Sequence, residues 1–458
     1  MQIKKNHIIF LLPAILVCIF FCPRIFGQLE QKVSEKLCVT LSKNISLFHI
    51  LVMISPYGEE KKDIFPHPIA QKARDYFKEF KDHPAIDTTH RIFNFSWYFL
   101  FNNVAFYFAD FPEMKLYEEI ELPPEFKARK NMITQYIEQV KDFYKASEFE
   151  AFWKIHNKDL ESVIEECKRN IPEVSLPELM ETFFGTQAEC FYFVPCPFMQ
   201  NSATHVEVKH KQGGLTYYYI AGGNTFLERF NNISTAFHEF SHSFIEPISA
   251  KYFNQIKKLS YLYKPLQNSL TRLGYKNWDR GFNEHIVRAA QLHLLRKALG
   301  EEARERVILS ERRLGFKLID NFYGFFDEYD RNREKYKNLE SFYPEVLKRL
   351  SEIKVEEYRR PSYMGFYPES IENKVFVKDV VLDSAFSKAG IKKGDILFSI
   401  ENVLIDSDDS FNKTKEKFWN QAKEGDSVKI VIIREDKKIE LDVPVPFVTD
   451  FRYKHEEY

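Results

Sequence analysis

The chain has 458 residues, 44% of them hydrophobic and 16% aromatic, which is enough apolar surface for packed cores in two or three domains and excludes a disordered chain. Lys and Arg number 65 against 66 Asp and Glu, so there is no cationic surplus to suggest a nucleic-acid partner. Function must therefore be read from motifs.

The N-terminus begins with a short basic segment, "MQIKKNH", followed by the apolar run "IIFLLPAILVCIFFC" and then "PRIFGQ", with a small residue, Gly27, where a signal peptidase can cut. This pattern predicts a secretory signal over residues 1 to 27 and a mature chain exported to the periplasm or the medium. The run is short of the ~20 residues a membrane span needs and contains Pro13, so no stable span is expected after cleavage. A lipoprotein signal needs a small residue before Cys18 or Cys22, and Val17 and Phe21 stand there. Cys38, Cys167, Cys190 and Cys196 remain after cleavage. An even number permits disulfides in an oxidising compartment, and Cys190 with Cys196 is one pairing that closes a short loop, but spacing does not settle connectivity. None has CxxC spacing, which leaves any metal to histidines and carboxylates.

Residues 28 to about 350 read mostly as helix. "IAQKARDYFKEF" places Ile69, Ala73, Tyr76, Phe77 and Phe80 on one face, and helical period continues over 131 to 170. "GGLTYYYIAGG", 213 to 223, breaks the pattern: a β-branched and aromatic run between glycine pairs predicts a strand. An edge strand at 215 to 221 is expected to hold an extended peptide.

The stretch "STAFHEFSHSFIEP", 234 to 247, follows. A helix from about Asn224 to Glu246 puts Phe226, Phe230, Ile233, Phe237, Phe240 and Phe244 in a buried stripe, with Pro247 expected to stop it. His238 and His242 flank that stripe. Four residues advance a helix by ~6 Å and little more than a full turn, so both imidazoles can converge on one Zn2+ while Glu239 faces the same cleft as a general base. A pair of half-buried histidines with local hydrogen bonds is the bland alternative, and the agreement of two histidines, the intervening glutamate and the helical phase disfavours it.

Catalytic zinc needs a third protein ligand and an open fourth position. In "WDRGFNEHIVRAAQLHLLRKALG" a helix is expected from about Asn283 to Leu299, with Val287, Ala290, Leu294 and Ala298 inward and Glu284 one step earlier on the same stripe. A core-facing carboxylate is costly unless a charge or metal meets it. Glu284 is thus the candidate ligand, with Arg288 either its support or its partner in a plain ion pair. The rivals are Glu246, on the same helix as both histidines, and Asp279, placed before the expected helix start.

H-E-F-S-H, a linker of about forty residues and then N-E-x-x-x-R-A together resemble gluzincin-type HExxH metallopeptidase domains of secreted bacterial proteins, a family catalogued as a domain of unknown function (DUF4932). The stretch "GFKLIDNFYGFFDEYDRNREKY" is similar too. The resemblance implies His238, His242 and Glu284 as metal ligands and Glu239 as general base, in a mostly helical zincin-like domain with a small sheet over residues 28 to 355. The residue that steadies the tetrahedral intermediate stays open among His285, Tyr323 and Tyr217 to Tyr219.

Near "RRPS", 359 to 362, the chain becomes strand-rich. "AGIKKGDILFSIENVLI" resembles the core of a bacterial PDZ domain over 360 to 447, with Gly390 and Gly394 at turns that favour positive φ. "SYMGFYPE" stands where that family has its carboxylate-binding loop, which implies capture of a C-terminal peptide by backbone amides at Met364, Gly365 and Phe366. The expected class is therefore α+β, and the expected function is an exported zinc-dependent metallopeptidase acting on peptide or protein substrates recruited or ordered by the PDZ domain. A catalytically inert peptidase fold that binds through its PDZ domain is the alternative, disfavoured because such a protein has no need of Glu239. PDZ-bearing glycyl aminopeptidases share the architecture without a close match after the second histidine.

Overall fold

The computed structural model describes residues 29–94 and 98–454, so the expected signal segment lies outside the described residues. The chain divides into two compact units, Met1–Phe253 with Phe282–Val346, and Asn254–Gly281 with Leu347–Tyr458. Among the described residues no helix is long and apolar enough to cross a membrane. The architecture is α+β, as composition and pattern imply.

In the first unit, five described strands form one sheet: β1 (Glu30–Ser34), β2 (Leu37–Thr40), β3 (Cys190–Cys196), β4 (Ala203–Lys209) and β5 (Leu215–Gly222), in the order β1-β2-β3-β5-β4. β3 runs parallel to β2 and β5, and β4 runs antiparallel to β5. "CFYFVPC" is buried at every position and β5 at nearly every one, as expected of central strands covered on both faces, whereas β4 alternates. This corrects one expectation: 215 to 221 is an interior strand and β4 is the edge. Cys190 and Cys196 sit at opposite ends of β3, too far apart along an extended strand to bridge each other. Cys38, Cys167 and Cys196 are free, buried thiols.

Helix α1 (Lys43–Met53) is buried throughout, and α2 (Pro124–Ala146) presents Ile133, Ile137 and Val140 to the core. Helix α3 (Arg229–Lys251) carries the histidine motif. Its Phe240 meets Phe191 at 5.2 Å and its Phe244 meets Tyr217 at 4.6 Å, so an aromatic layer fixes the helix on the sheet. Phe240→Ala is expected to cost about 3–5 kcal/mol, read from the denaturant midpoint, because the ring is fully buried between helix and sheet.

Three helix boundaries differ from expectation. α3 begins at Arg229 after a 3-10 turn and runs through Pro247 to Lys251. Proline forfeits a single backbone bond, and beyond it Ser249 is held by the Tyr343 hydroxyl, so tertiary contact carries the helix on. Phe230 leaves the stripe, half-buried with the Arg306 guanidinium over its ring at 4.3 Å. The second helix, α4 (Trp278–Leu299), starts five residues earlier than expected, which places Asp279 in its first turn. The signal was present: Asn277 accepts from the Arg280 amide at 3.2 Å, an N-cap followed by an acid. α5 (Glu301–Leu314) and α6 (Ile319–Arg331) follow.

The second unit holds β6 (Lys354–Pro361), β7 (Phe366–Ile371), β8 (Lys374–Val380), β9 (Ile396–Ile400), β10 (Val403–Leu404), β11 (Ser427–Arg434), β12 (Lys437–Pro444) and β13 (Phe447–Lys454). Described strands form a sheet in the order β12-β11-β9-β8-β7, with β10 beside β9, and β13 pairs with β6. Phe366, Phe386, Leu397, Trp419 and Ile430 lie in its core. Gly390 and Gly394 adopt φ of 85° and 91°, the positive values expected of the "GIKKG" turn. Asp395, 2% exposed, is held by Arg434 through two bonds of 2.7 Å. A short helix, α7 (Asp408–Thr414), is capped by Ser407 and runs into a π-helical turn at Lys415–Asn420. Residues 254–281 join this unit through Tyr453, whose hydroxyl donates to the Leu262 carbonyl at 2.7 Å.

Candidate metal centre

On α3, His238 and His242 lie one turn apart with their Nε2 atoms separated by 3.3 Å. From α4, Glu284 brings Oε1 to 3.5 Å from His238 Nε2 and Oε2 to 3.8 Å from His242 Nε2. One donor atom from each of the three falls within 4.8 Å of the others. Ligands ~2.0–2.1 Å from a single ion at tetrahedral angles are separated by roughly 3.3–3.5 Å; the two Nε2 atoms meet that spacing at 3.3 Å, and the Glu284 oxygens come near it at 3.5 and 3.8 Å. His242 Nδ1 is 3.0 Å from Glu246 Oε1, an acceptor that favours the proton on Nδ1, and in the neutral ring this leaves Nε2 the atom able to coordinate an ion. Glu246, a rival ligand in the sequence, contacts His242 from the Nδ1 side, and neither it nor Asp279 is in the three-residue cluster.

Burial pushes His238 down to about 4 against the opposing pull of Glu284, which keeps the imidazole neutral and able to donate a lone pair. Burial alone raises the Glu239 carboxyl, but the hydrogen bond to His205 and the nearby His238 outweigh it and hold the group below its ordinary range. For His242 burial works against charge, while the bond to Glu246 and the carboxylates of Glu239 and Glu284 raise it.

Glu284 is 4% exposed, and its charge is met by Arg288, whose Nη2 lies 2.7 Å from Oε1, the oxygen that also faces His238. Arg288 in turn bonds Glu311 of α5 at 2.7 Å and stacks on Phe316 at 4.3 Å. A row of alternating charge, Glu311, Arg288, Glu284, therefore stands behind the histidines. Burial, followed by the Arg288 charge that opposes it, leaves Glu311 raised overall. The sequence points to Arg288 but not to Glu311; its signal was its place four residues after the buried Val307 in a helix otherwise rich in exposed charge.

His205 was also missed. It projects from β4 with Nδ1 3.2 Å from Glu239 Oε2, and its ring lies parallel to that of His242, 5.0 Å away. The register of β4 follows from its end bonds: the Gly222 amide donates to the Ser202 carbonyl at 2.8 Å and the His210 amide to Gly214 at 3.2 Å. Even-numbered residues therefore bond inward to β5, and the backbone of Ala203, His205 and Glu207 turns to the edge, with Lys209 already accepting from the Glu121 amide at 2.7 Å.

The other candidates are placed as follows. His285 packs between Phe316 at 4.9 Å and Phe322 at 5.9 Å. Tyr217 and Tyr219 belong to the aromatic layer under α3, and Tyr218 stacks on Tyr192 from the opposite face of the sheet. Tyr323 lies beneath the guanidinium groups of Arg296 and Arg304. In the second unit, Met364 and Phe366 bury their side chains while Gly365 takes φ of 93°, its carbonyl accepting from Val381 at 2.8 Å and from Ser384 at 3.1 Å.

Residues 37–349 match the family described as a domain of unknown function (DUF4932), and residues 362–445 match the PDZ domain family. No curated protein matches the chain. Among solved structures, an HtrA-type protease with a decapeptide is 17% identical, with 19% of this chain and 30% of that one covered and a TM-score of 0.17. The HtrA3 PDZ domain bound to a phage-derived ligand is 11% identical, covering 21% and 93% with a TM-score of 0.18. An aminopeptidase N family protein from Idiomarina loihiensis is 11% identical, covering 64% and 65% with a TM-score of 0.22. The chain thus spans less than a third of the HtrA-type protease, and at these TM-scores the likenesses carry no argument.

Proposed function

We propose that this chain, which belongs to the DUF4932 family and carries a PDZ domain after that region, is an exported zinc metallopeptidase of zincin type. The observation that carries this reading is the convergence of two histidine Nε2 atoms and one buried carboxylate, with Glu239 beside them. Three protein donors of this chemistry suit a catalytic zinc site, which keeps a position open, better than a closed structural one.

His238, His242 and Glu284 would hold the ion. Zinc held there supplies Lewis acidity, which makes water a nucleophile near neutral pH and polarises a peptide carbonyl. Glu239 is kept ionised, and His205 engages Oε2, leaving Oε1 to take the proton of the attacking water and deliver it to the leaving amine. The outward backbone of Ala203, His205 and Glu207 suits an extended substrate added to the sheet edge beside that carboxylate. Amides at Met364, Gly365 and Phe366 of the PDZ domain would hold a chain-terminal carboxylate and so recruit or order substrates. Residues 1 to 27 would direct export.

The purified chain is expected to contain one zinc per molecule by elemental analysis and to cleave peptides at a rate that a chelator abolishes and added zinc restores. A zinc-loaded chain that leaves a broad peptide library intact would sink the enzyme reading and favour a binding protein acting through its PDZ domain.

A further inference from the structure

We infer that the PDZ groove reads only the carboxylate and last residue of its ligand and does not extend that ligand as a β-strand. The inference rests on the peptide-capture reading above. β7 is an edge strand of its sheet, paired only with β8 among the described strands, and so presents one row of backbone groups to an added chain.

The register identifies that row. The Val381 amide donates to the Gly365 carbonyl at 2.8 Å, so Gly365 bonds inward and Phe366 turns outward. Beyond the bulge between Tyr367 and Pro368, Val377 exchanges bonds with residues 394 and 395 toward β9, which directs Phe376 and its partner Glu369 toward each other. Pro368 and Ser370 are therefore the next two outward positions.

The second of these rungs lacks its donor, and side-chain bonds are made at the other two. The Phe366 carbonyl already accepts the hydroxyl of Tyr363. Pro368 has no N–H to offer a ligand carbonyl. The Ser370 hydroxyl donates to Asp408 Oδ1 at 2.6 Å, tying the end of β7 to the start of α7. The carboxylate loop keeps its outward Phe366 amide, while the ladder above it is broken at the second rung. The ligand class is thus any peptide or protein with a free C-terminal carboxylate, with little contribution from the residues before the last.

The test uses the full chain carrying Glu239→Gln, so that peptides persist, with unlabelled free-acid peptides of two, four and seven residues sharing one C-terminus in competition for a fluorescent heptapeptide. Affinities within about threefold across lengths, with loss of binding on amidation, are expected. Pro368→Val, which restores an N–H, should make the heptapeptide about tenfold tighter than the dipeptide. An unchanged groove that gains tenfold or more with length overturns the inference and leaves carboxylate capture standing. Binding that ignores amidation, or none at any length, overturns the capture reading and the inference with it. The length series needs no variant of the groove, so a misfolded Pro368→Val chain does not blunt the test.

Discussion

A Glu284→Gln chain is expected to lose zinc affinity by more than about 100-fold, since even partners behind a metal ligand are commonly worth 10–100-fold. The substitution removes the one negative charge among the three donors and leaves a neutral amide oxygen in its place. It does not strand the guanidinium behind it, because Arg288 keeps Glu311 at 2.7 Å, so the fold should survive to be measured. Glu311→Gln acts at one remove, by loosening Arg288 and with it the carboxylate of Glu284, and should cost about 10–100-fold. Asp279→Asn, in the first turn of α4 and outside the donor set, should change nothing. Competition with a chromophoric chelator gives the affinity of each variant and of the unaltered chain. Were Glu246→Gln to release the metal while Glu284→Gln retained it, the third donor would be wrongly assigned, and Glu246 would be more than the acceptor beside His242 Nδ1.

Glu239→Gln is expected to lower peptide hydrolysis by about 10²–10⁴-fold with zinc content unchanged. Glutamine keeps the volume and can still face His205, but it cannot accept a proton from water. Turnover of a chelator-sensitive peptide, with metal determined on the same sample, separates the two effects. Loss of zinc in step with loss of rate would mean that Glu239 supports the site and not the chemistry. A rate within about tenfold of the unchanged chain would remove it from the general-base role altogether.

Much of this site was legible before any fold was known. The H-E-x-x-H phase, the inward position of Glu284 and the neighbouring Arg288 are each relations within a few residues, as are, in the separate PDZ domain, the two turn glycines at 390 and 394. Helical period and local φ preference express such relations directly in sequence. Even the misplaced start of α4 was a local matter, with Asn277 as an overlooked cap.

The rest depended on partners distant along the chain. Alternation in "ATHVEVK" puts Ala203, His205 and Glu207 on one face, but only the order β1-β2-β3-β5-β4 makes that strand the edge and brings His205 to Glu239. "LTYYYIAG" reads as a strand in isolation, and only its two neighbours make it central. Glu311 gained its role from the packing of α5 against α4, across 23 residues. Pro247 failed to stop α3 because contacts such as Ser249 with Tyr343 outweigh the single lost bond. Period within a helix or strand thus showed which side chains face inward in each element, with Phe230 the exception, because such an element repeats within itself. Tertiary structure alone decided which elements meet, because strand order and helix docking are set by burial summed over the whole unit, a quantity no local pattern contains.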